Sequence, residues 1–335
     1  MLQSRPEARS EEPAATEVPL EYAVEIEGMR KAYGRMQAVR NLSMHVPRGT
    51  VYGFVGPNGA GKTTTIRTLA TLQKPDAGRI RVAGIDVLRA PGEVRDRVGY
   101  MPDFFGVYDS LTVMEYLDFY GASHRIPTAR RRRLCDELLE LVDLGDRRNE
   151  PVEYLSRGMK QRLGLARSLI HDPEVLLLDE PASGMDPRAR IELREILREL
   201  QTLDKTILIS SHILPELAEM CTHIGIIRAG ELIAEGPVDR VIGALSHGPR
   251  LHIRLLDASY IKEVSAVVAG FTQSDDVQIE GDRVVVTPFT ADESDLAALL
   301  ADLVGRRIPV TGYELQTGTL EDIFLQVTEL GEVEG

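Results

Sequence analysis

An eight-residue stretch has the residue types and spacing that bind a chain of phosphates. It fits the pattern G-x-x-x-x-G-K-[ST] and reads Gly56-Pro57-Asn58-Gly59-Ala60-Gly61-Lys62-Thr63. The glycines let the backbone fold around phosphates with its N–H groups pointing inward, and the helix predicted from Thr64 presents its positive end to them. Lys62 is placed to reach the β- and γ-phosphates, and the Thr63 hydroxyl to ligate Mg²⁺. The stretch therefore predicts a site for a nucleoside triphosphate and its magnesium ion.

Two adjacent carboxylates, Asp179 and Glu180, follow the apolar stretch Glu174–Leu178. Because an isolated charge is costly to desolvate, two carboxylates at the end of a buried strand indicate a function. Asp179 is predicted to hold the Mg²⁺, directly or through water. Glu180 is predicted to orient or deprotonate the water that attacks the γ-phosphorus.

The segments that position these groups alternate between β-rich and helical sequence from Tyr22 to about Pro237, as is typical of an α/β fold with a largely buried sheet. Four apolar, β-branched stretches are predicted strands: Val51–Val55, Val175–Leu178, Thr206–Ile209 and Ile224–Ile227. Apolar residues at helical spacing predict a helical block over Leu111–Leu144. We predict an ATP-binding domain at 21–240, with a helical subdomain at about 105–165, after a disordered leader at 1–20.

Between the phosphate-binding stretch and the acidic pair, the chain resembles the nucleotide-binding domain of ABC transporters, and this resemblance covers roughly Tyr22–Gly236. The segment that carries it looks like the family signature LSGGQ and reads Leu155-Ser156-Arg157-Gly158-Met159-Lys160-Gln161-Arg162. Ser156 and Gly158 match the signature, whereas Arg157 and Met159 depart from it as in drug- and lipid-type exporters. The resemblance implies that Ser156 and the backbone around Gly158 bind the γ-phosphate of an ATP held by another subunit.

Four further residues stand in the order that the resemblance implies. Tyr33 corresponds to the aromatic residue that stacks on adenine, and Asp186 belongs to a loop, Ser183-Gly184-Met185-Asp186, that crosses the dimer interface. His212 resembles the switch histidine that contacts the γ-phosphate, which makes it a catalytic candidate beside Glu180 and Lys62. Asp103 stands where the family has glutamine; it offers an oxygen to Mg²⁺ but adds negative charge beside the phosphates.

A smaller domain is predicted at 250–330, after a linker at Gly243–Pro249. Its predicted elements follow the order β-α-β-β-α-β plus a last helix, Leu320–Thr328, which is compatible with a ferredoxin-like α+β fold. From Arg250 onward the sequence holds 6 Lys and Arg against 16 Asp and Glu, so this part carries −10 of the total net charge of −13. Such an acidic end argues against nucleic-acid binding, and the basic run Arg130–Arg133 is interpreted as a solvated helix face.

These features predict an exporter motor that binds ATP and Mg²⁺. The resemblance implies two partners, a membrane permease subunit and a second ATP-binding subunit, either a copy or a paralogue. The apolar runs are too short to span a bilayer, so the chain is not expected to cross a membrane by itself. The resemblance implies a peripheral subunit at the cytoplasmic face of the cell membrane. The alternatives are a ribosome-associated ABC ATPase, whose usual second ATP-binding domain and basic arms are not seen in this sequence, and a nucleotide sensor without turnover, against which Glu180 and His212 speak.

Overall fold

The computed structural model describes residues 21–103, 106, 110–245, 250–271, 277–281, 283–286 and 293–316. The predicted leader at 1–20 and the predicted last helix, Leu320–Thr328, lie outside these residues. Among the described residues, no helix is both long and apolar enough to span a membrane.

A six-stranded sheet forms the centre of the larger part of the chain. Its strand order is β10-β9-β3-β8-β7-β6, and all neighbours are parallel except β10, which pairs with β9 in the antiparallel sense. The strands are β3 (Val51–Val55), β6 (Val98–Met101), β7 (Val175–Asp179), β8 (Thr206–Ser211), β9 (His223–Arg228) and β10 (Glu231–Pro237). Every residue of β3, β7 and β8 is buried, which explains their continuous apolar sequences. The parallel strands end at one edge, so the loops after β3, β7 and β8 lie side by side.

A second, antiparallel sheet has the strand order β2-β1-β4-β5. Its strands are β1 (Tyr22–Tyr33), β2 (Met36–Pro47), β4 (Ala77–Val82) and β5 (Ile85–Asp86). Ile26 and Met44 from this sheet share a core with Ile66 and Leu69 of helix α1 (Lys62–Leu69) and with Leu177 of the central sheet. Helix α1 therefore shares one apolar core with both sheets, which fixes the position of its first turn.

Seven further helices complete this part: α2 (Pro91–Arg97), α3 (Val113–Ser123), α4 (Thr128–Leu141), α5 (Arg157–Leu169), α6 (Pro187–Thr202), α7 (Leu214–Met220) and α8 (Val238–Leu245). The predicted helical block is thus two helices, α3 and α4, which pack with α5 around Tyr116, Leu117 and Leu139. The interpretation of the basic run Arg130–Arg133 as a solvated helix face is wrong for Arg131. Arg131 Nε and Nη2 donate to the two carboxylate oxygens of Asp118 at 2.6 and 3.1 Å, so this guanidinium is part of the α3–α4 contact.

The described residues of the C-terminal part form a four-stranded antiparallel sheet and two α-helices. Its elements are β11 (Arg250–Leu255), α9 (Ile261–Phe271), β12 (Val277–Glu280), β13 (Arg283–Val286), α10 (Glu293–Gly305) and β14 (Val310–Gln316). The strand order is β12-β13-β11-β14, so the predicted β-α-β-β-α-β arrangement is confirmed for these residues. Helix α8 continues to Leu245, so the first three residues of the predicted linker at Gly243–Pro249 are helical, and the predicted start of the linker is wrong. The predicted domain limits themselves stay predictions.

Candidate nucleotide-binding site

The loop between β3 and α1 has a backbone that only glycine fits at two of its positions. A Cβ on Gly56 would stand 2.2 Å from the carbonyl oxygen of Ile227, and one on Gly61 would stand 2.6 Å from the carbonyl oxygen of Ala38. Gly61 also has a φ of 110° and precedes α1 without a side-chain cap. The first N–H groups of α1 are therefore not capped by a Gly61 side chain, which leaves donors for an anion at this end of the helix.

The Lys62 side chain is 6% exposed and connects this loop to the end of β7. Its Nζ donates to the carbonyl oxygens of Gly56 at 2.6 Å and Pro57 at 3.3 Å, and lies 3.3 Å from Glu180 Oε1. One ammonium thus reaches both the phosphate-binding loop and the predicted water-activating carboxylate.

Asp179 ends β7 directly behind Thr63 and is 1% exposed. Its Oδ1 accepts hydrogen bonds from Ser210 Oγ at 2.8 Å and from Thr63 Oγ1 at 3.2 Å. Burial raises the pKa of this carboxyl, the two hydrogen bonds lower it, and the charges of Glu180 and Asp103 raise it further, with a net upward shift. A buried carboxylate whose pKa is raised in this way is a characteristic feature of functional sites.

Glu180 leaves the strand with a φ of 50°, in the left-handed region that side chains seldom adopt. Its N–H donates to Ser210 Oγ at 3.0 Å, which holds the turn. Glu180 Oε2 lies 2.9 Å from His212 Nδ1, in the loop after β8. The two predicted catalytic side chains are therefore in direct contact, although 32 residues separate them in sequence.

A cavity of about 410 Å³ lies over these groups. It is lined by Tyr33, Met36, Ala38, Pro57, Asn58, Gly59, Gly61, Lys62, Thr63, Thr64, Asp103, Glu180, Ser183 and His212. Among the predicted residues of the phosphate-binding loop and the acidic pair, Gly56, Ala60 and Asp179 do not line the cavity; Gly56 and Ala60 belong to its loop, and Asp179 contacts it through Thr63. The sequence did not single out Met36 or Ala38 as site residues, and the signal that could have found them is their position just after Tyr33.

Tyr33 forms one end of this cavity and is 44% exposed. Its hydroxyl donates to Gln73 Oε1 at 2.5 Å, and Lys31 Nζ lies 5.8 Å from the ring centroid. The ring is thus held at its edge, and a planar base has an aromatic surface on which to stack.

Three predicted binding residues lie outside this cavity. Ser156 caps α5 by accepting a hydrogen bond from Met159 N–H at 3.3 Å, and Asp186 caps α6 by accepting one from Ala189 N–H at 3.0 Å. Both residues are exposed, and Gly158 is half-buried, with space for a Cβ limited by Ala189 at 3.3 Å. The chain does not bring Ser156, Gly158 and Asp186 to its own cavity.

Comparison with known proteins identifies the family of this chain. A sequence profile for the family described as ABC transporter matches residues 39–183. The daunorubicin resistance ATP-binding protein DrrA3 of Streptomyces coeruleorubidus is 37% identical over 308 residues, which cover 91% of this chain and 96% of that protein. The chain belongs to the ABC transporter ATP-binding subunits.

A second relative and a solved structure are also similar to this ABC subunit. The Nod factor export ATP-binding protein I of Ralstonia nicotianae is 34% identical over 321 residues, 96% of this chain and 98% of that protein. A solved structure of cbiO1 from Clostridium perfringens, part of the ABC transporter complex cbiONQ, superposes with a TM-score of 0.61 at 26% identity, covering 67% of this chain and 91% of that one. The predicted P-loop ABC ATPase fold is confirmed, and ATP binding and hydrolysis are the activity of this chain.

Proposed function

We propose that this ABC ATPase powers export through a separate membrane subunit, and that two ATP-binding subunits close around two ATP molecules in each cycle. The contact of Lys62, Glu180 and His212 at the floor of the cavity is the observation that carries the hydrolytic half of this proposal. Relatives over almost the full length are named for drug resistance and for export, which supports the direction of transport.

The geometry supports a separate task for each of the three proposed catalytic residues. Lys62 neutralises charge on the β- and γ-phosphates, because its ammonium lies at the loop that receives them. Glu180 orients the attacking water and accepts its proton. His212 fixes the Glu180 carboxylate through the 2.9 Å contact and faces the same cavity, where it is within reach of the γ-phosphate.

The residues around Asp179 fit a bound Mg²⁺. Burial, and after it the charges of Glu180 and Asp103, raise the pKa of the Asp179 carboxyl, so a cation beside Asp179 would offset unfavourable negative charge. Mg²⁺ is usually held by one or two protein oxygens together with water and substrate phosphates, and Thr63 Oγ1 and Asp179 Oδ1 lie 3.2 Å apart at the end of the phosphate-binding loop. Thr63 and Asp179 would hold the ion, with Asp103 at the rim; when bound, it neutralises charge that develops on the phosphates.

The exposed signature residues support a composite site. Ser156 and Gly158 begin α5 on the surface, away from the chain's own cavity, and Asp186 begins α6 nearby. A second subunit would bring its Ser156 hydroxyl and the N-terminal N–H groups of its α5 to the γ-phosphate held by the first. Closure then depends on contacts that exist only while the γ-phosphate is present.

We propose that the permease docks in a groove of about 770 Å³ beside α4. Its apolar lining includes Ile126, Leu134, Leu138, Leu141, Leu169 and Ile170. Arg130 and Arg133 also line the groove, so two members of the basic run lie where a partner would be contacted. The groove suits a short amphipathic helix from a loop of the membrane subunit, which would hold the motor at the membrane surface as a peripheral subunit.

The paired-site mechanism is tested by Glu180→Gln, which blocks hydrolysis and should trap the closed dimer. Mass in solution, measured by light scattering, should double with Mg-ATP and return to the monomer value without it. Ser156→Arg in the same background leaves the chain's own cavity intact but should abolish the doubling. ATP binding without any change in mass, or doubling that survives Ser156→Arg, would contradict the composite site.

The docking proposal is tested by cell fractionation. The wild-type chain should sediment with membranes and not with ribosomes. Leu134→Glu should release it, whereas Ile233→Glu, an exposed position on β10 outside the groove, should not. Equal membrane association of both variants would place the docking surface elsewhere, and sedimentation with ribosomes would favour the non-transporter alternative.

A further inference from the structure

An ion pair joins helices α6 and α7 directly behind the proposed catalytic residues. Arg190 Nη1 lies 2.6 Å from Glu216 Oε1, and the Glu216 side chain is only 14% exposed, against 36% for Arg190. Solvent screens such a sheltered pair less than an exposed one, so its geometry is held more firmly than that of an ordinary surface ion pair.

This pair lines a second cavity that shares its wall with the nucleotide site. The second cavity has a volume of about 230 Å³, and Glu180, Ser183 and His212 line both it and the nucleotide cavity. Arg190 and Glu216 line only the second one. The partition between the two cavities therefore consists of the proposed catalytic pair and Ser183, and the ion pair lies on the side away from the nucleotide.

The ion pair is also close in sequence to two site residues. Glu216 follows His212 by four residues, on a helix of seven residues that is too short to be stable without tertiary contacts. Arg190 follows Asp186 by four residues, and its N–H donates to the Asp186 carbonyl at 3.1 Å. One salt bridge thus connects the helix after the proposed dimer-crossing loop to the helix after the catalytic histidine.

The charges around Glu216 explain why Arg190 is needed beside it. Burial raises the pKa of the Glu216 carboxyl, while Arg190 and His212 lower it and Glu180 raises it, with a net upward shift. Arg190 therefore neutralises a carboxylate that would otherwise face the charge of Glu180 across a small cavity. Without it, α7 would move or Glu216 would take up a proton, and either change would alter the surroundings of His212.

We infer that the Arg190–Glu216 ion pair positions His212 and Glu180 for hydrolysis, and that it links their placement to the loop formed by Ser183–Asp186. Neither side chain touches the nucleotide cavity, so both are positioning residues and not catalytic ones. The inference rests on the proposed roles of Glu180 and His212.

The chain offers a matched control one turn further along the same two helices. Arg194 Nη1 lies 2.7 Å from Glu219 Oε2, with Glu219 69% exposed, and neither residue lines the second cavity. The variants Arg190→Met and Glu216→Gln are therefore compared with Arg194→Met and Glu219→Gln in the full-length chain. Phosphate release gives kcat and KM, and thermal melting gives the loss of stability.

We expect Arg190→Met and Glu216→Gln to lower kcat on the order of 10- to 100-fold, the scale of a misplaced catalytic group, with KM for ATP within about twofold. Arg190→Lys should recover part of the loss, and the double variant should lose about as much as either single one. Both control variants should keep kcat within about twofold even where melting shows a similar loss of stability.

Glu180→Gln in the same assay separates this inference from the proposed function. If Glu180→Gln retains turnover, the assignment of the catalytic residue is wrong. If Glu180→Gln is inactive but Arg190→Met and Glu216→Gln behave like the controls, or raise KM while kcat stays unchanged, the positioning role is overturned. Losses that multiply in the double variant would also overturn it, because two independent residues would then be acting.

Discussion

Replacing Gly56 by alanine tests the close packing beneath the phosphate-binding loop. The added Cβ would stand 2.2 Å from the Ile227 carbonyl oxygen and 2.9 Å from Ile227 Cγ2, near the end of β9. Non-bonded carbon and oxygen atoms do not approach this closely, so the loop or the buried strand must shift by about 1 Å. Overpacking of a core costs roughly 1–3 kcal/mol, and a backbone obstacle in a central strand puts this case at about 3 kcal/mol. That is a large part of the 5–15 kcal/mol typical of a folded domain.

Gly59→Ala is the matched control in the same loop. Gly59 has a φ of 81°, but nothing stands within 4 Å of its added Cβ, so the cost is the backbone strain alone, about 1–2 kcal/mol. At roughly 2–4 °C per kcal/mol for a domain of this size, Gly56→Ala should lower the melting temperature by about 6–12 °C. Calorimetry of both variants measures this difference. A Gly56→Ala protein that melts at or above the temperature of Gly59→Ala would refute the packing argument.

Two further predictions concern Tyr33, the proposed base-stacking residue, and the start of helix α3. Tyr33→Ala should raise KM for ATP about tenfold, the effect of losing roughly 1.4 kcal/mol of stacking. Tyr33→Phe should leave KM unchanged, because it keeps the ring and the lost hydroxyl contacts Gln73. Steady-state kinetics of both variants measures the difference. Thr112 and Glu115 form a capping box at the start of α3, and hydrogen bonds from Thr112 lower the pKa of Glu115 below its ordinary value of 4.5. The stability that this lowered pKa contributes is present above pH 4.5 and is lost as the pH falls through the folded value. Thr112→Ala removes the hydroxyl's share of it, so the difference in melting temperature between wild type and Thr112→Ala should be largest at neutral pH and should narrow in acid, where only the hydrogen bond from Glu115 N–H to the Thr112 hydroxyl still separates them.

The sequence was sufficient to predict the positions of site residues that directly follow a buried strand. The positions of the phosphate-binding loop after β3 and of the acidic pair after β7 could be predicted, because the ends of parallel strands meet at one edge, and the position of His212 after β8 followed from the family resemblance. The order of elements in the C-terminal sheet could be predicted as well, since its short strands and helices are separated by clear turn residues.

The antiparallel sheet could not be predicted in detail, although it supplies Tyr33 to the site. Its first strand has several register shifts against β2, which break the alternation of buried and exposed residues that marks a strand. The break between α3 and α4 was missed, since apolar spacing continues across it. The Arg190–Glu216 contact joins side chains of two different helices, and sequence periodicity says nothing about such contacts.

The role of Glu180 is the central claim, and one comparison tests it most directly. Phosphate release is measured for Glu180→Gln and for a control variant, Glu174→Gln. Glu174 directly precedes β7, whereas Glu180 directly follows it, and Glu174 pairs with Arg48 and does not line the nucleotide cavity. A general base contributes about 10²–10⁴-fold, so Glu180→Gln should lose at least about 100-fold in kcat while still binding ATP, and Glu174→Gln should stay within about twofold of wild type. Turnover by Glu180→Gln at the rate of Glu174→Gln would contradict the assignment of Glu180 as the residue that activates water.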